Sequence, residues 1–402
     1  MTRRGRVALA LGAGLYLVAW LTGSPALYPV AVGLVLAPLL AWVWLALAPR
    51  PVRLSRQARR QEHFEGDDVD VALEVEVELG VLPPAPVVAR ERLSKLGGRE
   101  TKLRRLAARR LAARYVLHAL RRGRYAVEEA QAVLQDPFGL ATFAVDLTAP
   151  ATLLVYPRLV ELDALFSDSG AALADGRRLL MRRPSGFELH SVRDYEQGES
   201  LRRVHWPSTA KRGSLMVKEL EDAPRDEVAV LLDARANGAS AAAFDAQVRA
   251  AGSILRAHVK RSRRTVLLVN GSSQALLRAN TLDDWTPALE LLAAAEPDGH
   301  RPVELLLAEE ARLVARALEV AVVTSVLTPG LVERIVQRAL ARRHVSLVYV
   351  DAGTFDGRAR RREAGLLRLQ AAGVPLAVLG AGDDLAAVLA PAPVPSLEVS
   401  RA

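Results

Sequence analysis

The residues best suited to acid–base or nucleophilic chemistry lie close together in one polar stretch of the chain, 184–234. Histidine and carboxylate side chains exchange protons near neutral pH, and a hydroxyl beside such a base can act as a nucleophile. The candidates of these types are His190, Asp194, His205, Ser208 and Thr209. The residue types alone therefore leave open a hydrolase that uses His205 and neighbouring acids.

A structural role is the other interpretation of the same stretch. Residues 184–222 contain six Lys/Arg and seven Asp/Glu, a balance typical of an ion-pair network rather than of an anion-binding pocket. We therefore expect these side chains to hold two domains together, with His205 and Trp206 packed at the junction. A phosphate-binding glycine loop is not expected, because the closely spaced Gly12 and Gly14 lie in an apolar N-terminal run.

Short apolar runs predict the strands that position these side chains. Phe187–Tyr195 and Leu215–Leu220 read as two strands, and Val228–Leu232 reads as a buried third that leads directly into Asp233.

A set of residues in the stretch forms a recognisable pattern: Gly186, Glu188, Arg193, Tyr195, Gly198, Glu199, Arg202, His205, Trp206, Ala210, Lys211, Arg212 and Lys218. The pattern resembles the signature of the bacterial domain of unknown function 58 family, with Glu199 for the usual Asp, Val204 for an Ile and Lys211 for an Arg. Two upstream runs, Arg122–Tyr125 and Asp136–Leu140, resemble further landmarks of the family in the same order.

Two uncharged runs near the N-terminus predict a membrane anchor. Val7–Thr22 and Val30–Ala48 are separated by the short uncharged turn Gly23–Pro29, which favours a two-span hairpin. A cleaved signal peptide is the alternative for the first run. Arginines flank both outer ends of the pair while the turn has none, so we expect both ends to be cytoplasmic.

The next segment has the pattern of a small β-sandwich. From Val69 to Leu79, apolar residues alternate with acids, which predicts a half-buried strand. Thr101–Leu120 fits both strand and helix. Residues 99–124 carry ten Lys/Arg against the single acid Glu100, a net charge of +9 that equals that of the whole chain. We favour two explanations of this charge: attraction to an anionic membrane leaflet, or a basic face exposed to solvent. Nucleic-acid binding is not expected.

Beyond Asp233, five apolar strands alternate with helices, which predicts a doubly wound α/β domain with one antiparallel hairpin at its edge. This arrangement resembles the von Willebrand factor type A domain. In that fold, an Asp-x-Ser-x-Ser loop holds a divalent metal, whereas this chain offers Asp233, Arg235 and Asn237. Because an arginine stands at a ligand position, we expect no metal there and a structural pairing of Arg235 with Asp233.

The predicted organisation is a transmembrane hairpin (1–50), a β-sandwich-like domain (51–160), a junction with the family pattern (161–226) and a type A-like α/β domain (227–395). We expect an adaptor of the inner (plasma) membrane with cytoplasmic domains, without enzymatic activity or cofactor. Members of the family it resembles are commonly encoded beside MoxR-type AAA+ ATPases and transglutaminase-like membrane proteins, which the resemblance implies as partners. The alternatives are the hydrolase and a metal-dependent adhesion module.

Overall fold

The chain forms two compact units, Met1–Tyr156 and Pro157–Ala402, in a computed structural model. The structure describes residues 1–58, 62–78, 85–107, 109–147, 151–168, 189–194, 204–220, 227–236, 238–272, 274–279, 285–309, 317, 319–360 and 363–391. Each unit has its own sheets and its own hydrophobic core.

Two apolar helices begin the first unit, α1 (Arg3–Thr22) and α2 (Leu27–Leu47). By length and composition, both are apolar enough to cross a membrane. They pack closely against each other: a Cβ added to Gly12 would lie 2.8 Å from Val35 Cγ2. Glycine at such a contact lets two helix backbones approach. The Tyr16 and Tyr28 rings meet edge to face, with their centroids 5.3 Å apart.

The strands described in the first unit are β1 (Pro51–Ala58), β2 (His63–Phe64), β3 (Val69–Val77), β4 (Val87–Leu93), β5 (Gly97–Lys102), β6 (Arg104–Ala107), β7 (Arg110–Leu117), β8 (Gly123–Gln135), β9 (Thr142–Asp146) and β10 (Thr152–Tyr156). One sheet has the order β1, β3, β7, β6. The other has the order β2, β10, β8, β4, β5, with β9 also paired to β8.

The two sheets share one core, to which the strands with alternating burial contribute most. In β3 the valines and Leu73 are buried, while Asp70 and Glu76 between them are exposed, the period of two expected for a half-buried strand. Residues of both sheets join Leu45 and Ala48, near the end of α2, in this core. The second helix is therefore packed into the sheet structure at its C-terminal end.

The stretch 101–120, whose pattern fitted both strand and helix, is built from β-strands. Leu111 and Leu117 are buried in the core, whereas Leu106 is exposed. The leucines at helical spacing therefore do not share one buried face.

The second unit contains β11 (Leu189–Asp194), β12 (Met216–Leu220), β13 (Glu227–Leu232), β14 (Arg264–Asn270), β15 (Gln274–Ala279), β16 (Glu319–Thr324), β17 (His344–Val350) and β18 (Leu376–Leu379). Its helices among the described residues are α3 (Trp206–Arg212), α4 (Ala241–Lys260), α5 (Trp285–Ala294), α6 (Val303–Glu309), α7 (Pro329–Leu340), α8 (Ala352–Phe355), α9 (Ala364–Ala371) and α10 (Leu385–Leu389).

A six-stranded sheet organises this unit, in the order β15, β14, β13, β16, β17, β18. Its neighbouring strands pair in parallel, except that β15 returns antiparallel to β14. The central strands are almost wholly apolar because both faces are covered. The residues of α4 and α5 pack on one face, and those of α6, α7 and α9 pack on the other.

One helix of the second unit had no counterpart in the sequence pattern. A short helix, Ala352–Phe355, was not predicted. It follows Asp351 directly after β17, where one turn of helix closes through the hydrogen bond from the Thr354 N–H to the Asp351 carbonyl.

Candidate functional site

The described part of the polar stretch is a two-stranded antiparallel sheet, β11 with β12, and the short helix α3. Two hydrogen bonds hold α3 to β12. The His205 N–H donates to the Met216 carbonyl at 2.7 Å, and the Met216 N–H donates to Thr209 Oγ1 at 3.0 Å. Val204 and Met216 are buried. Gly213 ends the helix at φ 70°, a left-handed conformation that glycine adopts without strain.

Trp206, the first residue of α3, has 66% of its surface exposed. The prediction that it packs as a buried aromatic at the junction is therefore wrong. The helix has seven residues, only about two turns, and its hydrogen bonds with β12 involve His205 and Thr209. The buried apolar positions belong to Val204 and Met216, which leaves Trp206 outside the contact.

Five exposed residues near Trp206 in the chain form what we call the Trp206 surface: Trp206, Pro207, Lys211, Arg212 and Leu215. Tryptophan and arginine are enriched among the residues that dominate the binding energy of protein interfaces. Lys211 and Arg212 lie in the last turn of α3, where positive charge also complements the helix dipole. The surface thus combines an exposed aromatic ring with two positive charges.

His205 and Ser208 are brought together at the start of α3. His205 Nδ1 lies 2.7 Å from Ser208 Oγ, within the distance expected of a base and a nucleophile. The Ser208 N–H also donates to the His205 carbonyl at 3.1 Å. Within the described residues, the contacts made with His205 come from Ser208, Thr209 and Met216, none of which is an acid. A third group that would orient the imidazole is thus not among them.

The other predicted site residues are distributed between strands and undescribed parts of the chain. Arg193 and Lys218 lie on the paired strands β11 and β12, and the candidates His190 and Asp194 also lie on β11. Those outside the described residues are Gly186, Glu188, Tyr195, Gly198, Glu199, Arg202 and Asn237. The predicted ion-pair network therefore stays a prediction.

A second polar cluster lies at the carboxyl edge of the six-stranded sheet. Asp233 follows β13, Asn270 ends β14 and Thr324 ends β16, so the parallel strands bring all three to one edge. Thr324 Oγ1 donates to Asp233 Oδ2 at 2.7 Å, and the Arg235 N–H approaches Asp233 Oδ1 at 3.3 Å. The Asn270 side chain also hydrogen-bonds the carboxylate and donates to the Arg301 carbonyl.

Burial dominates the electrostatics of Asp233. Removal from water raises the pKa of its carboxyl group above the ordinary value, while the Thr324 hydrogen bond and the charge of Arg235 oppose that rise. The hydrogen bond from Arg235 comes from its backbone N–H. In the part of the chain that the structure describes, no group of three or more His, Cys, Asp or Glu could hold a metal. The hydrogen bond between Thr324 and Asp233 joins the ends of β16 and β13 at this edge.

Residues 298–301 pass over the same edge, which the sequence did not predict. Gly299 exchanges backbone hydrogen bonds with Ala234 and Ala236, and a Cβ at Gly299 would lie 2.2 Å from the Asn270 carbonyl oxygen. Because only glycine fits so close to another backbone, packing requires glycine at position 299. The Asp298-Gly299 pair is a turn signal that could have located this crossing.

A third cluster, also missed from the sequence, lies at the opposite edge of the sheet. His258 of α4 is fully buried, and its Nδ1 lies 3.3 Å from Arg263 Nη1. Arg263 Nη1 also donates to Glu319 Oε2 at 2.8 Å, and Ser167 Oγ donates to Glu319 Oε1 at 3.2 Å. Burial lowers the pKa of His258 to about 4, against the opposing charge of Glu319. This imidazole is therefore neutral at pH 7.

Comparison with known proteins adds a family match. The model of the family described as "Protein of unknown function DUF58" matches residues 191–352, from β11 to the start of α8. No curated protein matches the chain. One similar solved structure is the Pseudomonas fluorescens alkylpurine DNA glycosylase AlkC bound to DNA containing an abasic site analog. That match is 14% identical, covers 31% of this chain and 39% of that chain, and has a TM-score of 0.16, at which it carries no argument.

Proposed function

We propose that this chain, whose residues 191–352 match the DUF58 family model, is a membrane-anchored scaffold that binds a protein partner through the Trp206 surface. The observation that carries the proposal is the 66% exposure of Trp206. Covering a large, water-exposed aromatic ring with a partner is favourable in free energy, which makes the ring a candidate binding hot spot.

The charge of the Trp206 surface favours an acidic partner. Lys211 and Arg212 are both exposed on the same short helix as the aromatic residue. Basic groups at the rim of an apolar contact steer association with a negatively charged surface and fix its orientation. The backbone under this surface is preorganised, because α3 is hydrogen-bonded to β12 at His205 and Thr209. A preformed helix loses less conformational entropy on binding than a flexible segment does.

The two apolar helices support the membrane part of the proposal. Both are long and apolar enough to cross a bilayer, and their close approach at Gly12 is compatible with a hairpin of two spans. Arginines at positions 3, 4, 6, 50 and 53 flank the outer ends, while residues 23–29 carry no charge. On the positive-inside rule, we propose an inner-membrane hairpin with both ends and both β-rich parts in the cytoplasm.

The family resemblance suggests the partner class. We propose a MoxR-type AAA+ ATPase as the protein that contacts the Trp206 surface, in a chaperone-like assembly that includes a transglutaminase-like membrane protein. The six-stranded sheet, with one antiparallel edge and helices on both faces, supports a type A-like domain as the core of the scaffold.

Binding of the full-length chain in nanodiscs to a purified MoxR-type ATPase tests this proposal. Trp206→Ala removes the exposed ring, so we expect at least about tenfold weaker binding, the scale of a hot-spot residue. Leu340→Ala is the matched control, because Leu340 is an exposed apolar residue of the same unit, at the end of α7. Equal affinities of the parent and the Trp206→Ala variant would contradict the assignment of the surface.

A hydrolase is the second candidate, and the contact between His205 and Ser208 at 2.7 Å is what favours it. A fluorophosphonate probe reacts with an activated serine, so it reports nucleophilic character without a known substrate. On the scaffold proposal, labelling of the parent chain equals labelling of the Ser208→Ala variant. Labelling that disappears in both Ser208→Ala and His205→Ala would favour the hydrolase instead.

A further inference from the structure

One end of the two-sheet core in the first unit is tied to both apolar helices. The Thr2 N–H, just before α1, donates to the Leu140 carbonyl at 3.1 Å, and Thr2 Oγ1 donates to the Gly139 carbonyl at 2.7 Å. The Arg50 guanidinium, just after α2, lies 5.3 Å from the centre of the Phe143 ring. The loop 136–141 between β8 and β9 is therefore fixed beside the outer ends of both helices.

That loop presents an exposed aromatic ring on a rigid support. Phe138 has 78% of its surface exposed. Asp136 organises the loop, because its carboxylate accepts the Phe138 N–H at 2.9 Å and the Ala141 N–H at 2.6 Å. Gly139 takes φ 70° to complete the turn. The ring is thus held in water by a structured loop next to the start of α1.

A second exposed apolar residue lies at the same end, on β6. Leu106 has 66% of its surface exposed, and all of β6 is exposed. The start of β7, which pairs with β6, is tied to the helix end through β3: the Val77 N–H donates to the Arg109 carbonyl and the Glu78 N–H donates to the Arg50 carbonyl, both at 2.9 Å. Leu106 and Phe138 therefore extend from the same end of the unit.

Positive charge surrounds these two apolar residues. The exposed arginines of the end are Arg50, Arg104, Arg105, Arg109 and Arg110. The exposed acids described beside them are Glu76 and Glu78, so the end has a net positive charge among the described residues. Apolar side chains within a basic surface are the combination that binds the interface of an anionic bilayer.

We propose that this end is a lipid-binding face, in which Phe138 and Leu106 enter the headgroup region while the arginines bind anionic phospholipids. The lipids are those of the bilayer that the two helices cross, so the inference rests on the membrane anchoring proposed above. Because α1 begins and α2 ends at this face, the helices place it at the depth of the headgroups. The lipid contact fixes the orientation of the first unit on the membrane.

Site-specific fluorescence of the full chain in nanodiscs tests the proposal, since the chain has no cysteine that would label elsewhere. Phe138→Cys and Leu106→Cys carry the environment-sensitive dye NBD, in phosphatidylcholine with a minor share of phosphatidylglycerol. The matched control is Leu96→Cys, an exposed leucine in the turn between β4 and β5 at the other end of the same sheets. A second control is Leu36→Cys, on α2.

The dyes at 138 and 106 are expected to emit at shorter wavelength than the dye at 96, and doxyl-labelled phosphatidylcholine is expected to quench them. Omitting phosphatidylglycerol reduces the quenching at 106 and leaves that at 36 unchanged, because headgroup charge attracts the arginines. If the dye at position 36 is quenched while the dyes at positions 138 and 106 behave like the dye at 96, the lipid-binding face is refuted and the membrane anchoring stands. If the dye at position 36 is not quenched, the lipid-binding face and the anchoring are both refuted. Neither result bears on partner binding through the Trp206 surface.

Discussion

The Thr324 hydroxyl donates a hydrogen bond to the Asp233 carboxylate at 2.7 Å, which joins the ends of β16 and β13. Both side chains are buried, and the two residues lie 91 positions apart in the chain. A buried carboxylate depends on its donors, because a charge removed from water is destabilising unless it is hydrogen-bonded. The pair therefore couples the stability of the sheet to the protonation of Asp233.

Thr324→Val removes this donor while keeping the shape of the side chain. We expect it to lower the free energy of unfolding at pH 7 by about 1–3 kcal/mol, the usual effect of leaving a buried polar group unsatisfied. Asp233→Asn removes the charge itself. Because the folded pKa is raised above 3.8, the ionised carboxylate destabilises the folded chain above that folded pKa, so this variant is expected to be at least as stable as the parent at pH 7.

The double-mutant cycle separates these effects. Thr324→Val is expected to be less destabilising in the Asp233→Asn background, since a neutral amide needs the donor less. The advantage of Asp233→Asn over the parent should shrink as the pH falls through the folded pKa toward 3.8, where the parent carboxyl becomes neutral. Urea unfolding of the detergent-solubilised variants at pH 7 and pH 4 measures the coupling energy and its dependence on pH. Additive losses in the cycle would show that the pair is not coupled.

Divalent cations provide a separate prediction for the same edge. The Asp233 carboxylate is hydrogen-bonded by Thr324 and Asn270, and the charge of Arg235 lies near it. We therefore predict that Mg²⁺ and Mn²⁺ do not bind this edge, because these ions require several oxygen ligands and no competing cation. Calorimetry of the parent and of Asp233→Ala should give the same result. Micromolar binding that the substitution abolishes would establish the metal-dependent module instead.

His258 makes stability depend on pH at the opposite edge of the sheet. Its folded pKa of about 4 lies below the ordinary value of 6.5, so between these values the unfolded chain binds a proton that the folded chain does not. Stability from this group is thus present above pH 6.5 and lost as the pH falls to 4. The loss amounts to roughly 3 kcal/mol at about 1.4 kcal/mol for each pKa unit.

His258→Gln provides the control, because its amide oxygen can still accept from Arg263 but does not titrate. The difference in unfolding free energy between parent and variant, measured in urea from pH 7 to pH 4, should change by that amount. A constant difference over this range would show that the imidazole titrates normally in the folded chain.

A reporter at the C-terminus tests the proposed topology. Fused after Ala402, an alkaline phosphatase should be inactive and a green fluorescent protein should fluoresce, because arginine-rich flanks keep both outer ends of the helix pair in the cytoplasm. Replacing Arg3, Arg4 and Arg6 by Gln tests whether the arginines set this topology, because the replacement should weaken the preference for a cytoplasmic N-terminus. Phosphatase activity in the parent fusion would place the C-terminus in the periplasm.

The regular parts of the fold follow from the sequence because they depend on local periodicity. The alternation from Val69 to Val77 predicted β3, and the apolar run at Val228–Leu232 predicted β13. The parallel sheet with one antiparallel hairpin was also predicted, since strands that alternate with helices favour parallel neighbours. For the same reason, the position of Asp233 at a carboxyl edge could be predicted before any contact was known.

The missed features depend on residues that are distant in the chain. Glu319 meets His258 and Ser167 only because the sheet places β16 beside α4, and neither spacing nor composition marks that meeting. Trp206 shows the opposite error. A tryptophan in a junction rich in ion pairs suggests a buried ring, but α3 is too short to bury it while Val204 and Met216 take the interior positions.

The last prediction separates the roles of Trp206, the exposed first residue of α3, and Met216, the buried first residue of β12. Met216 has 1% of its surface exposed, so Met216→Ala should lower the free energy of unfolding by about 2–5 kcal/mol, as expected for a truncated core residue. Trp206→Ala should change it by only about 0.5 kcal/mol, because an exposed ring contributes little to the core. Thermal melts of the detergent-solubilised full chain compare the two variants. If Trp206→Ala lowers the melting temperature as much as Met216→Ala does, the ring is part of the core and the Trp206 surface is not free to bind a partner.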